Sequence, residues 1–294
     1  MGKVLSINPS MLHSNDKTSP NPVKVIATTA GKGGVGKTAV SINLAMAMAR
    51  LGNRTLLLDA DLGLANIDTL LGLQAKYNLS HVMSGDCALQ DIIVPVCPRL
   101  DLVPAASGVL HMAQTGVHEQ TAIIRAFSEL TQDLDVLVID NAPGLSSSMM
   151  QFVQAAHEVI VVVCDEPASI TDAYAVIKVL SKQYNVRRFH IAVNMVREPT
   201  QASDVYAKIA RVAERFLDVT LIPMGGIPYD EYMLRAIQGQ VAVTARYPSA
   251  RSSLAFKKMA RTASTWPIPN GPRGQIEFFM ERMLADGAME GVPV

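Results

Sequence analysis

Between two apolar stretches the chain carries "AGKGGVGKT", residues 30–38, with four glycines and two lysines in the eight residues before Thr38. Glycines at this density let successive main-chain N–H groups turn inward, and a helix starting at the end of such a loop adds its positive dipole end. The product is a cradle for a polyphosphate. Gly31, Gly36, Lys37 and Thr38 fit the G-x-x-x-x-G-K-[ST] pattern, in which the lysine reaches the β- and γ-phosphates and the hydroxyl reaches Mg²⁺. The flanks agree. "VKVIATTA" (Val23–Ala30) reads as a short buried strand, and "TAVSINLAMAMARLG" as a helix stopped by Gly52.

Further apolar runs follow at Arg54–Asp61, Leu100–Ala105, Leu134–Pro143, His157–Pro167, Arg188–Met195 and Thr220–Pro228. Most are continuous rather than alternating, as in strands buried on both faces of a parallel sheet. Helical patterns such as "TDAYAVIKVLSKQY" and "ASDVYAKIARVAERFL" lie between them. The expected fold class is therefore α/β, a doubly wound, mostly parallel sheet with helices on both faces. Such sheets bind ligands at the carboxyl ends of their strands. Asp59 and Asp61 end one expected strand and Asp140 another, after "VLVI". Asp140 in that position is expected to hold Mg²⁺ through water opposite Thr38.

Lys plus Arg and Asp plus Glu both number 26, so formal net charge is zero. That balance argues against direct DNA binding, which needs a basic excess. Cys87, Cys97 and Cys164 form no CxxC pair and no metal-ligand spacing, which suits a reducing cytoplasm. Residues 1–22, rich in Ser, Asn and Pro, lack the apolar core of a secretory signal and read as a flexible tail. Met1-Gly2 with Ser6 only superficially matches a myristoylation pattern, and no apolar stretch is long enough to span a membrane. Residues 23–270 then form the main domain, and 271–294 an amphipathic helix and tail. In that helix Ile276, Phe279, Met280, Met283 and Leu284 make the apolar stripe, while Glu277, Glu281 and Arg282 make the polar face.

The second lysine, Lys32, has no role in an ordinary phosphate loop. "KGGVGKT" followed by "LLLDADLGLAN" resembles the MinD/ParA class of P-loop ATPases. "DADLGLANIDTLLGL", "VPAASG", "CDEPASITDAYAVIK", "SLAFK" and "WPIPNGPRGQIEFFMER" are similar to its FleN/FlhG branch, the flagellar-number regulators. The resemblance runs from about Pro22 to Leu284. It implies ATP/ADP and Mg²⁺ as cofactors, bound by Gly31, Lys32, Gly33, Gly34, Val35, Gly36, Lys37, Thr38 and Ala39. Asp59 would be a switch companion, Asp140 the Walker B acid, Asn194 the reader of the adenine edge, and Ile227 and Pro228 part of the loop against the base. Thr38, Asp61 and Asp140 would serve the metal. Lys32, Lys37 and Asp61 would be the catalytic residues, with Lys32 reaching the nucleotide of the opposite subunit and Asp61 orienting water.

The same resemblance implies a slow switch ATPase that is a homodimer when ATP-bound and restrains a FleQ-type transcription activator. It further implies a cytoplasmic protein that reaches the inner membrane or cell pole through its terminal helix, the other course being permanent docking of that helix on the body. The alternatives are a MinD-like division-site or cargo-positioning ATPase, and a nucleotide-binding module with little hydrolysis. Iron–sulfur carriers of the superfamily need a cysteine pair that is absent. Three departures stand out. Ala39 replaces a usual Thr or Asn; Asn141 and Pro143 alter the usual D-T-x-A-G run, although Gly144 is kept; and the tail lacks the D-Q-A-x-x-L-R motif used to engage an FlhF-type GTPase.

Overall fold

The computed structural model describes residues 22–105, 117–269 and 276–282. Among these residues eight strands form one sheet: β1 (Lys24–Thr29), β2 (Thr55–Ala60), β3 (Val94–Cys97), β4 (Leu100–Val103), β5 (Val136–Asn141), β6 (Glu158–Cys164), β7 (Arg188–Val196) and β8 (Thr220–Pro228). Their order is β3-β4-β2-β5-β1-β6-β7-β8. Every neighbouring pair is parallel except β3 with β4. The helices are α1 (Lys37–Arg50), α2 (Ile67–Leu70), α3 (Leu79–Met83), α4 (Val117–Ala126), α5 (Ser147–Gln154), α6 (Pro167–Gln183), α7 (Gln201–Phe216), α8 (Glu231–Gln238), α9 (Val243–Arg246) and α10 (Arg251–Ser264).

The continuous apolar strands bury both faces, because successive side chains point to opposite sides. Val25, Leu56, Leu58, Leu137 and Ile139 enter one core with α4 to α7, whereas Ile26, Leu57, Val136 and Val138 enter the other with α1 and α10. Helix α1 is buried from Val40 to Ala49. An Ala/Met/Leu helix that is apolar all round requires cover on two sides. The sheet and α10 supply it. β3 was not foreseen from sequence: Pro95 removes a donor in a four-residue run, tolerable here because β3 is an edge strand. The expected run to Pro167 stops at Cys164, since Pro167 opens α6 at the first helical position, where a missing N–H costs nothing.

The expected terminal stripe is not what the described residues bury. Residues 280–282 are helical, but Phe279 has φ 56°, a left-handed conformation that breaks any helix running from Ile276. Phe278, absent from the stripe, is fully buried beside Phe279, while Ile276 is 38% exposed. The Phe278 ring meets Phe127 edge-on at 5.1 Å and stacks on Phe152 at 6.2 Å. Of the expected polar face, Glu281 is exposed but Glu277 and Arg282 are buried. Glu277 lies 3.9 Å from His157, and Arg282 donates to the carbonyls of Leu130 and Gln132 at 2.6 and 3.0 Å. An aromatic slot and the two carbonyls that receive Arg282 thus override the helical periodicity. Met283, Leu284, residues 1–21 and the 106–108 part of "VPAASG" lie outside the described residues. Among the described residues no helix is long and apolar enough to cross a membrane.

Candidate nucleotide-binding site

The glycine loop joins β1 to α1 at the carboxyl edge of the sheet, as the strand–loop–helix reading expects. Gly36 caps α1 with φ 82°, and an added Cβ there would lie 2.3 Å from the Asn194 side-chain nitrogen, so only glycine fits. A cleft of about 310 Å³ opens above the loop, lined by Lys32, Gly33, Gly34, Val35, Gly36, Lys37, Thr38, Ala39, Asp61 and Pro143. Asn66 and Leu70 complete the wall. Gly31 lies just behind the rim, pressed against the backbone of Asp172 on α6.

Beneath the loop Lys37 and Asp140 form an ion pair of 2.6 Å, with side chains only 6% and 1% exposed. The same Asp140 oxygen accepts from Ser41 at 2.5 Å and Thr28 at 3.3 Å. Its second oxygen, Oδ2, is buried and has no hydrogen-bond partner among the described residues. Lys37 Nζ also lies 3.5 Å from the Thr38 hydroxyl. An ammonium therefore contacts two of the three groups assigned to the metal, Thr38 and Asp140, and one buried oxygen of that carboxylate is left without a partner. Hydroxyl and carboxylate oxygens are the donors that Mg²⁺ prefers, so the residues present fit that ion.

Asp59 pairs in register with Asp140 across β2 and β5. Burial, then the negative charge of Asp140, push its carboxyl up to about 7. It does not line the cleft, contrary to a direct nucleotide contact. Its oxygens accept from the N–H groups of Asp61, Asn66 and Ile67 at 3.2, 3.0 and 3.1 Å. Asp59 thus pins the turn that presents Asp61, which does line the cleft. Asn141 is also turned inward, donating to the Thr28 carbonyl at 3.0 Å, so this departure is absorbed in the sheet while Pro143 stays at the cleft.

The base-side expectations fare differently. Asn194 lies near the end of β7 beside the loop, and its amide donates to the Val35 carbonyl at 2.8 Å. Ile227 is buried in the core and Pro228 ends β8; neither lines the cleft, because alternation along β8 turns Ile227 inward. Ser41, Thr28, Asn66 and Leu70 went unnoticed in the sequence. Ser41 carried a signal: a hydroxyl four residues after Lys37, and so on the same helical face, in an otherwise apolar helix.

Residues 23–191 match the family described as an AAA domain. The antiactivator FleN of Pseudomonas aeruginosa is 50% identical over 266 residues, covering 90% of this chain and 95% of that protein. The flagellum site-determining protein YlxH of Helicobacter pylori is 35% identical, covering 65% and 64% respectively. Among solved structures, septum site-determining MinD of Pyrococcus horikoshii, complexed with Mg-ADP, superposes with a TM-score of 0.69 at 25% identity, covering 83% of this chain and 97% of that one. With this loop, this sheet order and these relatives, the chain belongs to the MinD/ParA class of P-loop ATPases and stands close to its FleN/FlhG branch.

Proposed function

We propose that the protein is an ATP-dependent, dimerising switch ATPase that limits flagellar number and placement by restraining a FleQ-type transcription activator. What supports this above all is half-identity over nine-tenths of the chain with a protein named an antiactivator, joined to a cleft that holds both lysines. Bound ATP with Mg²⁺ supplies the γ-phosphoryl group that passes to water. The loop N–H groups of residues 33–38 hold the phosphates. Lys37 exchanges the Asp140 carboxylate for phosphate oxygens, and Thr38, Asp61 and Asp140 serve the metal. Asp61 orients the attacking water, and Lys32 brings positive charge to the nucleotide of the second subunit. Pro143 at the cleft wall favours slow turnover, and in the limit a binding switch with little hydrolysis.

The terminal segment is part of the same switch: docked through Phe278 and Phe279 here, and moved to the inner membrane in the ATP-bound homodimer. Asp61→Ala tests the scheme. ATP binding should persist, a stable dimer should elute from a sizing column, and hydrolysis should fall. That dimer should capture a purified FleQ-type activator, and a mutant that stays monomeric with ATP would make Asp61 structural instead. Co-sedimentation of the locked dimer with anionic liposomes, lost in Phe279→Glu, supports the membrane step; a dimer wholly in the supernatant removes it. An FlhF-type GTPase is the second partner to assay, with no capture expected from a tail that lacks the contact motif.

A further inference from the structure

Lys32 does not point freely into solvent. Its Nζ pairs with a carboxylate oxygen of Glu166 at 2.5 Å, and the charge of Asp172 adds to the attraction. Both acids are placed by α6. Glu166 caps that helix and is anchored on both sides: its N–H donates to the Cys164 carbonyl at 2.8 Å, and its own carbonyl accepts from Ile170 at 3.0 Å. Two residues before Asp172 the helix is already committed, and the Asp172 backbone lies so close to Gly31 that an added Cβ would come within 2.2 Å. The start of the loop and the first turns of α6 are thus packed together as one body. On that body the Glu166 carboxylate is 58% exposed, held beside the lysine but still open to solvent.

We propose that Glu166 is a positioning residue that retains Lys32 on its own subunit, so that each subunit must release this contact before an ATP dimer closes. The proposal rests on Lys32 acting across the subunit boundary. A lysine engaged with a local carboxylate is unavailable to a partner's phosphates, and the equilibrium between the two engagements sets how readily the dimer forms. Exposed pairs are weak individually, but a dimer releases two. Removing the carboxylate should therefore tighten ATP-dependent dimerisation by about two- to thirty-fold. A cap or packing role for Glu166 predicts the opposite sign.

Sedimentation of the full chain with Mg²⁺ and a non-hydrolysable ATP analogue tests this, comparing wild type with Glu166→Gln, Glu166→Ala and Lys32→Ala. Both Glu166 variants should dimerise more tightly, and their advantage should shrink as salt rises, since the restraint is electrostatic. Glu166 variants that dimerise like wild type, or less well, overturn the restraint while leaving the cross-subunit lysine standing, provided Lys32→Ala abolishes the dimer. If Lys32→Ala dimerises normally, the cross-subunit role fails first and the restraint with it.

Discussion

Replacing Phe278 by alanine removes the ring that ties the terminal segment to the body. The side chain is fully buried between Phe127 and Phe152. Core Phe→Ala substitutions cost about 3–5 kcal/mol, from lost transfer energy and the cavity left behind. The full cost appears only if the segment stays docked, which Phe279 and the two Arg282 hydrogen bonds favour. If the segment lets go, the loss is capped at its docking free energy. Two measurements separate these cases. Urea unfolding followed by Trp266, the single tryptophan, which is buried in the other core, reports global stability. Tryptic cleavage after Arg282 reports local undocking, because that side chain is buried when the segment is seated. The expected result is a global loss of at least about 2 kcal/mol together with faster cleavage at Arg282. Ile276→Ala, at an exposed position, should stay within about 0.5 kcal/mol. A Phe278→Ala protein within about 1 kcal/mol of wild type, with Arg282 cut equally fast in both, would refute the docked segment.

Asp59→Asn should alter the pH dependence of stability in the absence of nucleotide. Because the folded carboxyl is raised to about 7 from its ordinary 3.8, the unfolded chain gives up this proton first as pH rises. Wild-type stability therefore falls through that window, by on the order of 4 kcal/mol relative to the variant. Urea melts at pH 5 and pH 8 check this: the unfolded carboxyl is already ionised at pH 5, so the comparison should show about 2.5 kcal/mol of that loss, and a variant-to-wild-type difference independent of pH would contradict it. Lys37→Ala should abolish ATP binding by titration calorimetry and also destabilise the empty protein by about 3–5 kcal/mol, since Asp140 is left buried without its cation. Gly31→Ala should lower the thermal midpoint by several degrees, as its Cβ cannot coexist with the Asp172 backbone unless α6 shifts.

How the sheet is wound was legible along the chain because parallel strands buried on both faces leave continuous apolar runs, and because a phosphate cradle is a local object. Residues 31–39 announced themselves within nine positions, and Asp61 and Asp140 stood at the ends of recognisable strands. Contacts between distant segments left no such trace. That Lys37 rests on Asp140 requires β1 and β5 to be neighbours, a matter of strand order. That Asp59 turns away from the cleft and pins the turn of Asp61 depends on the pleat, which a strand-end aspartate does not reveal. Ile227 was lost to the core for the same reason. At the terminal segment, periodicity proposed a stripe through Ile276, but a slot between Phe127 and Phe152 selected Phe278. Local pattern determined the loop, the strands and the acids at their ends; the tertiary structure decided which side chains meet, because burial against a particular partner outweighs the weak conformational preference of a short segment.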